Sequence, residues 1–469
     1  MLIVRRLGMR VFTYIKRSLF SLSRRFKKTY FYFIVTILFF VLVFYVKLTY
    51  QVDPLSTRVY AALIDCGSSA SRIYIYYWQP GSGRIHSSGQ PLPEITRLRD
   101  KFGKTVSIKD DTPLASFENS PDSSLAHLTS FIEKSYQFIP ERKHSETQLY
   151  ILATAGMRLI NPEKAKKLVS VLKEGLPRTI KYQVRNIEVI SGRLEGVFMW
   201  ISLNYILRRF QEHCGNTHGT FETGGASMQI AFEVQEKVET TTSFSYVCPL
   251  DFRETTHNVF STTFLGLGTG SAYKHYSNRF FSPLKFQNEI EHHADPCLPL
   301  NCQLSDAHGP KKGTGATDEC FRRLNHVFDE YLKHKENFSN YGLYKKVFKT
   351  FTDQRNMTFY GLSEFWFAFN DFLHYRGPLL PSFYWDVNKE FCDKDCGFHQ
   401  NELKKGMYAT KENKHMIMQC FKVPFLRFLI EKFLPPKMCN PIIGLQTYNG
   451  ELVEWTYGAI LYYITNNSA

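Results

Sequence analysis

The stretch VYAALIDCGSSASRIYIYYW, residues 59–78, decides the fold. Six apolar residues, Val59 to Ile64, run into Asp65-Cys66-Gly67-Ser68-Ser69, and apolar residues resume from Ile73 to Tyr77. The pattern reads as strand, tight turn, strand. Gly67 permits a backbone shape that other residues resist. The N–H groups and hydroxyls of Ser68 and Ser69 then face one concavity, a nest suited to phosphate oxygens. Asp65, at the strand end, can hold a divalent cation directly or through water. Taken alone, the segment is also an ordinary hairpin, because turns use Asp, Gly and Ser everywhere. A second copy changes that weighing. Residues 218–234 read HGTFETGGASMQIAFEV, with Glu222 in the place of the acid and Gly224-Gly225-Ala226-Ser227 as the turn. Two acid-x-Gly hairpins predict two related lobes. Their turns would face each other across a cleft and grip opposite sides of a phosphate chain.

The 469 residues suffice for two domains, and a hydrophobic content of 43% excludes global disorder. Net charge is +15, but residues 1–28 hold nine Lys or Arg and no acid, which leaves +6 for the rest. The basicity is therefore not a nucleic-acid signature. It precedes eighteen uncharged residues, Thr29 to Val46. As a helix these extend roughly 27 Å, near the thickness of a thin bilayer. The expected organisation is a basic cytosolic tail (1–28), a transmembrane signal anchor (29–46) and a stem (47–57), with the positive flank holding the N-terminus in the cytosol. Everything after Lys47 is then lumenal or extracellular. The ten cysteines fit that compartment. Nine follow Glu195, so bridges would staple the second lobe, and the connectivity stays open. Zinc at Cys392-x-x-x-Cys396 lacks a second pair of ligand spacing. Cys66 reads as a small buried residue. Sequons stand at Asn337, Asn356 and Asn466.

Further along the chain, residues 124–138 and 162–176 have helical spacing, and Gln148–Leu152 reads as a buried strand with Thr154 beyond its end. Glu188–Ile190 is a short strand, and Glu195 lies where the chain turns into a helix, whose N-terminus favours anions. The run Gly266-Leu267-Gly268-Thr269-Gly270 is a weak nucleotide signal, because the strand and spacing of a dinucleotide fingerprint are missing. Residues 359–373 are aromatic. Trp366 and Phe367 are candidates to stack a base, with an aromatic core helix as the alternative. Asp393-x-Asp395 could serve a glycosyltransferase as a metal site, but no apolar strand leads into it.

Five segments in this order resemble the nucleoside triphosphate diphosphohydrolases, the apyrase family. They are residues 64–71 (IDCGSSAS), 153–158 (ATAGMR), 190–196 (ISGRLEG), 222–229 (ETGGASMQ) and 361–367 (GLSEFWF). The resemblance spans about residues 58–465. ADPCLPL, TTFLGLGTG and EWTYGAILY are most similar to the Golgi and lysosomal branch, which favours UDP and GDP. The resemblance implies an α/β fold of two RNase-H-like lobes of the actin, heat-shock chaperone and sugar-kinase type, with the active site in the cleft between them. Lobe I would be residues 58–194, joined by 447–469, and lobe II residues 195–446. The implied activity is hydrolysis of nucleoside diphosphates, with triphosphates open, in the Golgi lumen by a single-pass type II membrane protein. A plasma-membrane ecto-ATPase is the alternative, and homo-oligomerisation stays open. Glu195 would be the general base, with Ser227 and Gln229 positioning water. Asp65, Thr154, Glu222 and Trp455 would surround a hydrated Ca²⁺ or Mg²⁺, and Ser68, Ser69, Gly225 and Ala226 would bind phosphate. Three departures stand out: Glu222 where the family usually has Asp, Met228 for Thr, and Arg193-Leu194 for a polar or acidic pair. They leave Glu195 in place, and they also leave a binding-only homologue as a rival.

Overall fold

The first hairpin pairs β1 (Val59–Cys66) antiparallel with β2 (Ser71–Trp78), so that Asp65 lies opposite Arg72 and Cys66 opposite Ser71. This computed structural model describes residues 30, 33, 36–41, 57–80, 92–211, 217–234, 245–252, 255–282, 293–352, 357–434 and 441–466. Short strands β3 (Thr96–Arg97) and β4 (Ser107–Asp110) add to the outer edge of β2. Helix α1 (Pro121–Glu133) is followed by β5 (Gln148–Ala153), the short α2 (Ala155–Arg158), α3 (Pro162–Thr179) and β6 (Gln183–Val189). Strand β5 runs parallel to β1 on its other side, and β6 follows parallel to β5. Helix α1 is shorter than the apolar spacing suggests. It stops at Glu133, and Tyr136–Phe138 form a separate 3₁₀ turn.

After α4 (Gly192–Ile206) the plan repeats. Strands β7 (Gly219–Thr223) and β8 (Ser227–Val234) form the second hairpin, which β10 (Thr255–Leu265) and β9 (Ser245–Phe252) extend beyond β8. Helix α5 (Thr269–Phe281) follows, then a small sheet of β11 (His293–Asp295), β12 (Gln303–Asp306) and β13 (Gly309–Gly313). Helices α6 (Thr317–Lys333) and α7 (Lys335–Thr352) lead to β14 (Phe359–Ser363), which lies parallel to β7 as β5 does to β1. The aromatic run 359–373 is thus not one helix. It is β14, then a break at Ser363 (φ 56°), then α8 (Glu364–Asn370). Helices α9 (Pro381–Asp393), α10 (Cys396–Lys405), α11 (Asn413–Ile417) and α12 (Gln419–Phe433), strand β15 (Ile443–Gly444) and helix α13 (Trp455–Asn466) complete the chain.

Both sheets thus place an acid-bearing strand beside an antiparallel partner on one side and a parallel strand on the other. Thr154, just past β5, and Ser363, at the end of β14, occupy corresponding places. The core is layered. One face of the first sheet packs on α1 and α3 through Ile64, Phe131 and Leu172. One face of the second packs on α6 and α12 through Phe232, Phe328 and Phe425. Between the sheets lies a shared core of α4 and α13, in which Phe198, Trp200 and Ile460 meet Leu63 and Leu152 of the first sheet and Ala231 and Leu362 of the second. Helix α4 is continuous across residues 194 and 195, so the expected lobe boundary falls inside it.

The crossing of α4 and α13 depends on one glycine. A Cβ on Gly458 would stand 1.9 Å from the Phe198 carbonyl oxygen, which is backbone and cannot yield. Gly458→Ala should therefore lower the stability by about 1–3 kcal/mol, the usual range for overpacking. Thermal unfolding reads this directly, and an unchanged midpoint would mean that the helices slide apart at no cost.

Three disulfides staple the second half among the described residues: Cys297–Cys320, Cys302–Cys396 and Cys392–Cys420. Cys392 and Cys396 sit in different bridges, which removes them as a zinc pair. Cys66 is buried, and Cys214 and Cys439 lie outside the described residues. The expected basic tail also lies outside them, as does most of the expected span and stem. Among the described residues no helix is long and apolar enough to cross a membrane.

Candidate active site

The two turns meet. In the first, the Gly67 amide donates to the Ala70 carbonyl at 3.0 Å. In the second, the Gly224 amide donates to the Ser227 carbonyl at 3.1 Å. A Cβ on Gly225 would lie 2.8 Å from Ser68 Oγ, so the second turn lies directly against the first. The Gly266–Gly270 run backs the second turn. The amides of Gly266, Thr269 and Ser271 donate to the carbonyls of Ala226, Gly224 and Gly225 at 2.8, 2.9 and 3.0 Å. A Cβ on Gly268 would reach within 2.2 Å of the Ala226 nitrogen. This run is therefore the bed of the second hairpin turn rather than a dinucleotide loop.

A cavity of about 300 Å³ opens where the turns meet. It gathers Asp65, Ser68, Ser69, Thr154, Glu195, Glu222, Gly225, Ala226, Ser227, Phe367 and Trp455. Gln229 lies just behind, 1% exposed, and reaches the cavity through its neighbours. Trp366 is not among the lining residues, and its ring instead lies 5.9 Å from the Arg376 guanidinium. Of the three sequons, Asn337 lies in α7 and donates to the Tyr331 carbonyl at 3.1 Å. Asn466 ends α13, and Asn356 lies outside the described residues.

Glu195 sits in the first turn of α4, where the Ser191 hydroxyl caps the helix by accepting from the Leu194 amide at 3.2 Å. Its Oε2 accepts from Arg158 Nη2 at 2.8 Å and from Gln229 Nε2 at 3.2 Å. The same two groups donate to Ser227 Oγ, at 3.1 and 2.7 Å. One buried carboxylate, one guanidinium, one amide and one hydroxyl therefore form a closed network. Burial raises the Glu195 carboxyl above its usual range, and Arg158 pulls it back through charge and hydrogen bond.

The other two acids have no guanidinium in hydrogen-bond contact among the described residues, and the charges of Arg72 near Asp65 and Arg158 near Glu222 only partly oppose their rise. Burial, reinforced by the charge of Glu195, pushes Asp65 up to about 8. The same two causes take Glu222 to about 8, against the hydrogen bond that Ser363 Oγ donates to its Oε1 at 2.9 Å. Asp65 Oδ1 is buried with no hydrogen-bond partner among the described residues. Carboxyls crowded this way ionise at neutral pH only beside a positive charge. Among the described residues no three acid, His or Cys side chains converge closely enough to ligate a metal directly. Oxygen donors at that spacing fit a hard divalent cation that keeps part of its water shell.

Arg158, Ser363, Arg72 and Glu454 also belong to the site, and the sequence reading assigned them no role. Arg158 closes the quoted ATAGMR segment, and an acid proposed to work ionised inside a protein calls for such a counter-charge. Ser363 stands in the quoted GLSEFWF segment, but only the pairing of β14 with β7 shows that it reaches Glu222.

A solved nucleoside triphosphate hydrolase from Neospora caninum shares this fold, with a TM-score of 0.63 at 14% identity over 88% of this chain and 93% of that one. Ectonucleoside triphosphate diphosphohydrolase 7 of Xenopus tropicalis is 30% identical over 464 residues, covering 87% of this chain and 74% of that protein. The nucleoside-diphosphatase mig-23 of Caenorhabditis elegans is 28% identical over 441 residues, covering 87% and 77%. Residues 54–469, nearly all of the chain, match the GDA1/CD39 (nucleoside phosphatase) family, and a chain that matches over this length belongs to that family.

Proposed function

We propose that this nucleoside phosphatase cleaves the terminal phosphoanhydride of nucleoside diphosphates, with UDP and GDP as preferred substrates, in the Golgi lumen. The observation that carries the reading is the network joining Glu195, Ser227 and Gln229 across the cavity from Asp65 and Glu222. Ser227 and Gln229 orient a water for in-line attack on the terminal phosphorus. Glu195 takes its proton as the new P–O bond forms and the bond to the leaving nucleotide oxygen breaks. The turn amides and hydroxyls at Ser68, Ser69, Gly225 and Ala226 hold the phosphate oxygens, and Phe367 offers a face to the base. Asp65, Glu222, Thr154 and Trp455 would surround a hydrated Ca²⁺ or Mg²⁺, which supplies charge neutralisation for the phosphate chain. Glu222 keeps its place despite the longer side chain because Ser363 fixes one of its oxygens. The diphosphate preference is supported by the name of the worm relative, a nucleoside-diphosphatase, and the triphosphate alternative by that of the frog relative. The eighteen-residue apolar stretch after a basic tail supports a type II anchor.

The test is phosphate release by the full chain in detergent, from UDP, GDP, ADP and the matching triphosphates, in Ca²⁺, Mg²⁺ and EDTA. Release from UDP or GDP that EDTA abolishes is expected. A preference for triphosphates would move the chain to the ecto-apyrase reading. Binding without release would make Glu222 the disabling change.

A further inference from the structure

One carboxylate of the cavity has no part in that chemistry. Glu454 stands immediately before Trp455, lines the cavity with Asp65, and keeps 30% of its side chain exposed. Its Oε2 accepts from Arg97 Nη2 at 2.7 Å. Its Oε1 takes no hydrogen bond from any described residue. Arg97 is an unusual partner. Its side chain is 1% exposed, and its Nε and Nη1 have no hydrogen-bond partner among the described residues. The guanidinium carbon stands 4.2 Å from the Tyr74 ring centre and 5.7 Å from that of Tyr76. A desolvated guanidinium that leaves donors unused gains little stability from a single ion pair. What the pair does achieve is position. The chain around Glu454 is tied to β2 and the approach to β3 at two further points. The Tyr76 and Thr456 hydroxyls are 2.8 Å apart, and the Tyr457 hydroxyl donates to the Ile95 carbonyl. Four consecutive residues, 454–457, thus carry three ties to one edge of the first sheet.

We propose that Glu454 is an additional acceptor for the water shell of the divalent cation, and that Arg97 is the positioning residue that fixes it there. The proposal rests on the cation reading given above. Arg97 occupies one oxygen and anchors the side chain, so the other oxygen is a fixed, pre-oriented acceptor for a cation-bound water. Glu454 and Asp65 line the same cavity, so the two carboxyls face the same space. A purely structural ion pair would change folding when broken but would leave cation affinity alone.

The experiment measures cation binding by the full chain in detergent without nucleotide, using Mn²⁺ by electron paramagnetic resonance and Ca²⁺ by calorimetry. Glu454→Gln is isosteric and keeps an oxygen for Arg97, so the fold should survive, and it should weaken cation affinity about tenfold, the scale of lost supporting ligands. Arg97→Lys keeps the charge but loses the planar fork. It should weaken cation affinity as well, although Glu454 itself is untouched, and it should alter the Mn²⁺ spectrum. If Glu454→Gln does not fold, Glu454→Asp retains the charge one methylene short and should show the same direction of change. Wild-type cation affinity in folded Glu454→Gln overturns the proposal and leaves a structural pair. If the wild-type chain itself binds neither cation, the cation reading falls first and this inference falls with it.

Discussion

Glu195→Gln is expected to lower kcat by about 10²–10⁴-fold, the usual contribution of a general base, while nucleotide still binds. The substitution is clean because of how Glu195 is held. Both of its hydrogen bonds, from Arg158 Nη2 and Gln229 Nε2, arrive at the same oxygen, Oε2. An amide oxygen can accept both, with its NH₂ at the other position, so the network and the first turn of α4 need not move. What disappears is the group that receives the proton of the attacking water. The loss of charge also acts on the neighbours. Glu195 is the largest charge raising both Asp65 and Glu222, so its neutralisation should bring both carboxyls down from about 8. Cation and nucleotide affinity should then hold or change little. Steady-state phosphate release and calorimetry with a cation present separate the two effects. Turnover within tenfold of wild type would place the base elsewhere. Lost binding with lost turnover would make Glu195 a holder of charge rather than of a proton.

How much of this was legible in the sequence follows from the range of the interactions. The two hairpins could be read because a strand's period and its turn residues are local, and the repeated acid-x-Gly pattern pointed to two sheets of one plan. Helix α1 ends before its apolar spacing does: the spacing continues through Phe138, but the chain tightens into a 3₁₀ turn at Tyr136. The aromatic run 359–373 was ambiguous for the same reason. Composition cannot show that Ser363 turns to positive φ and separates a buried strand from a helix. The use of Gly266–Gly270 was invisible because its partners lie some forty residues earlier in the chain, in the second turn. The disulfides are equally nonlocal: Cys302 reaches across 94 residues to Cys396. Asp65, Glu195 and Glu222 could be named from their places at or just beyond strand ends, since ligands of α/β sheets gather beyond the carboxyl ends of strands. Glu454 and the counter-charges could not, because Arg158 and Arg97 meet Glu195 and Glu454 only through tertiary contact.

Arg158→Met should cost activity in a manner that depends on pH. Arg158 and Glu195 form a pair with side chains 16% and 10% exposed, so solvent screens it little. Removing one partner of such a pair costs about 3–5 kcal/mol, because the other charge is left uncompensated. The chain can escape most of that cost by protonating Glu195. Its carboxyl is already raised by burial, and Arg158 is the group that opposes the rise. The sign is therefore fixed. Without the guanidinium the carboxyl goes higher, the acid limb of the kcat profile moves to higher pH, and less of the enzyme holds an ionised base at neutrality. If the cost appears wholly as protonation, the acid limb moves up by about two to four pH units, and the activity lost near neutrality recovers in alkaline solution. Arg158 also donates to Ser227 Oγ, so some loss in positioning the attacking water should persist at every pH. Arg158→Lys, which keeps the charge but not the fork, should restore the acid limb and retain the pH-independent loss. The decisive measurement is kcat for UDP across pH with saturating cation, for wild type and both variants. A uniform loss with no movement of the acid limb would confine Arg158 to holding Ser227. A full recovery in alkali would assign its whole effect to the charge on Glu195.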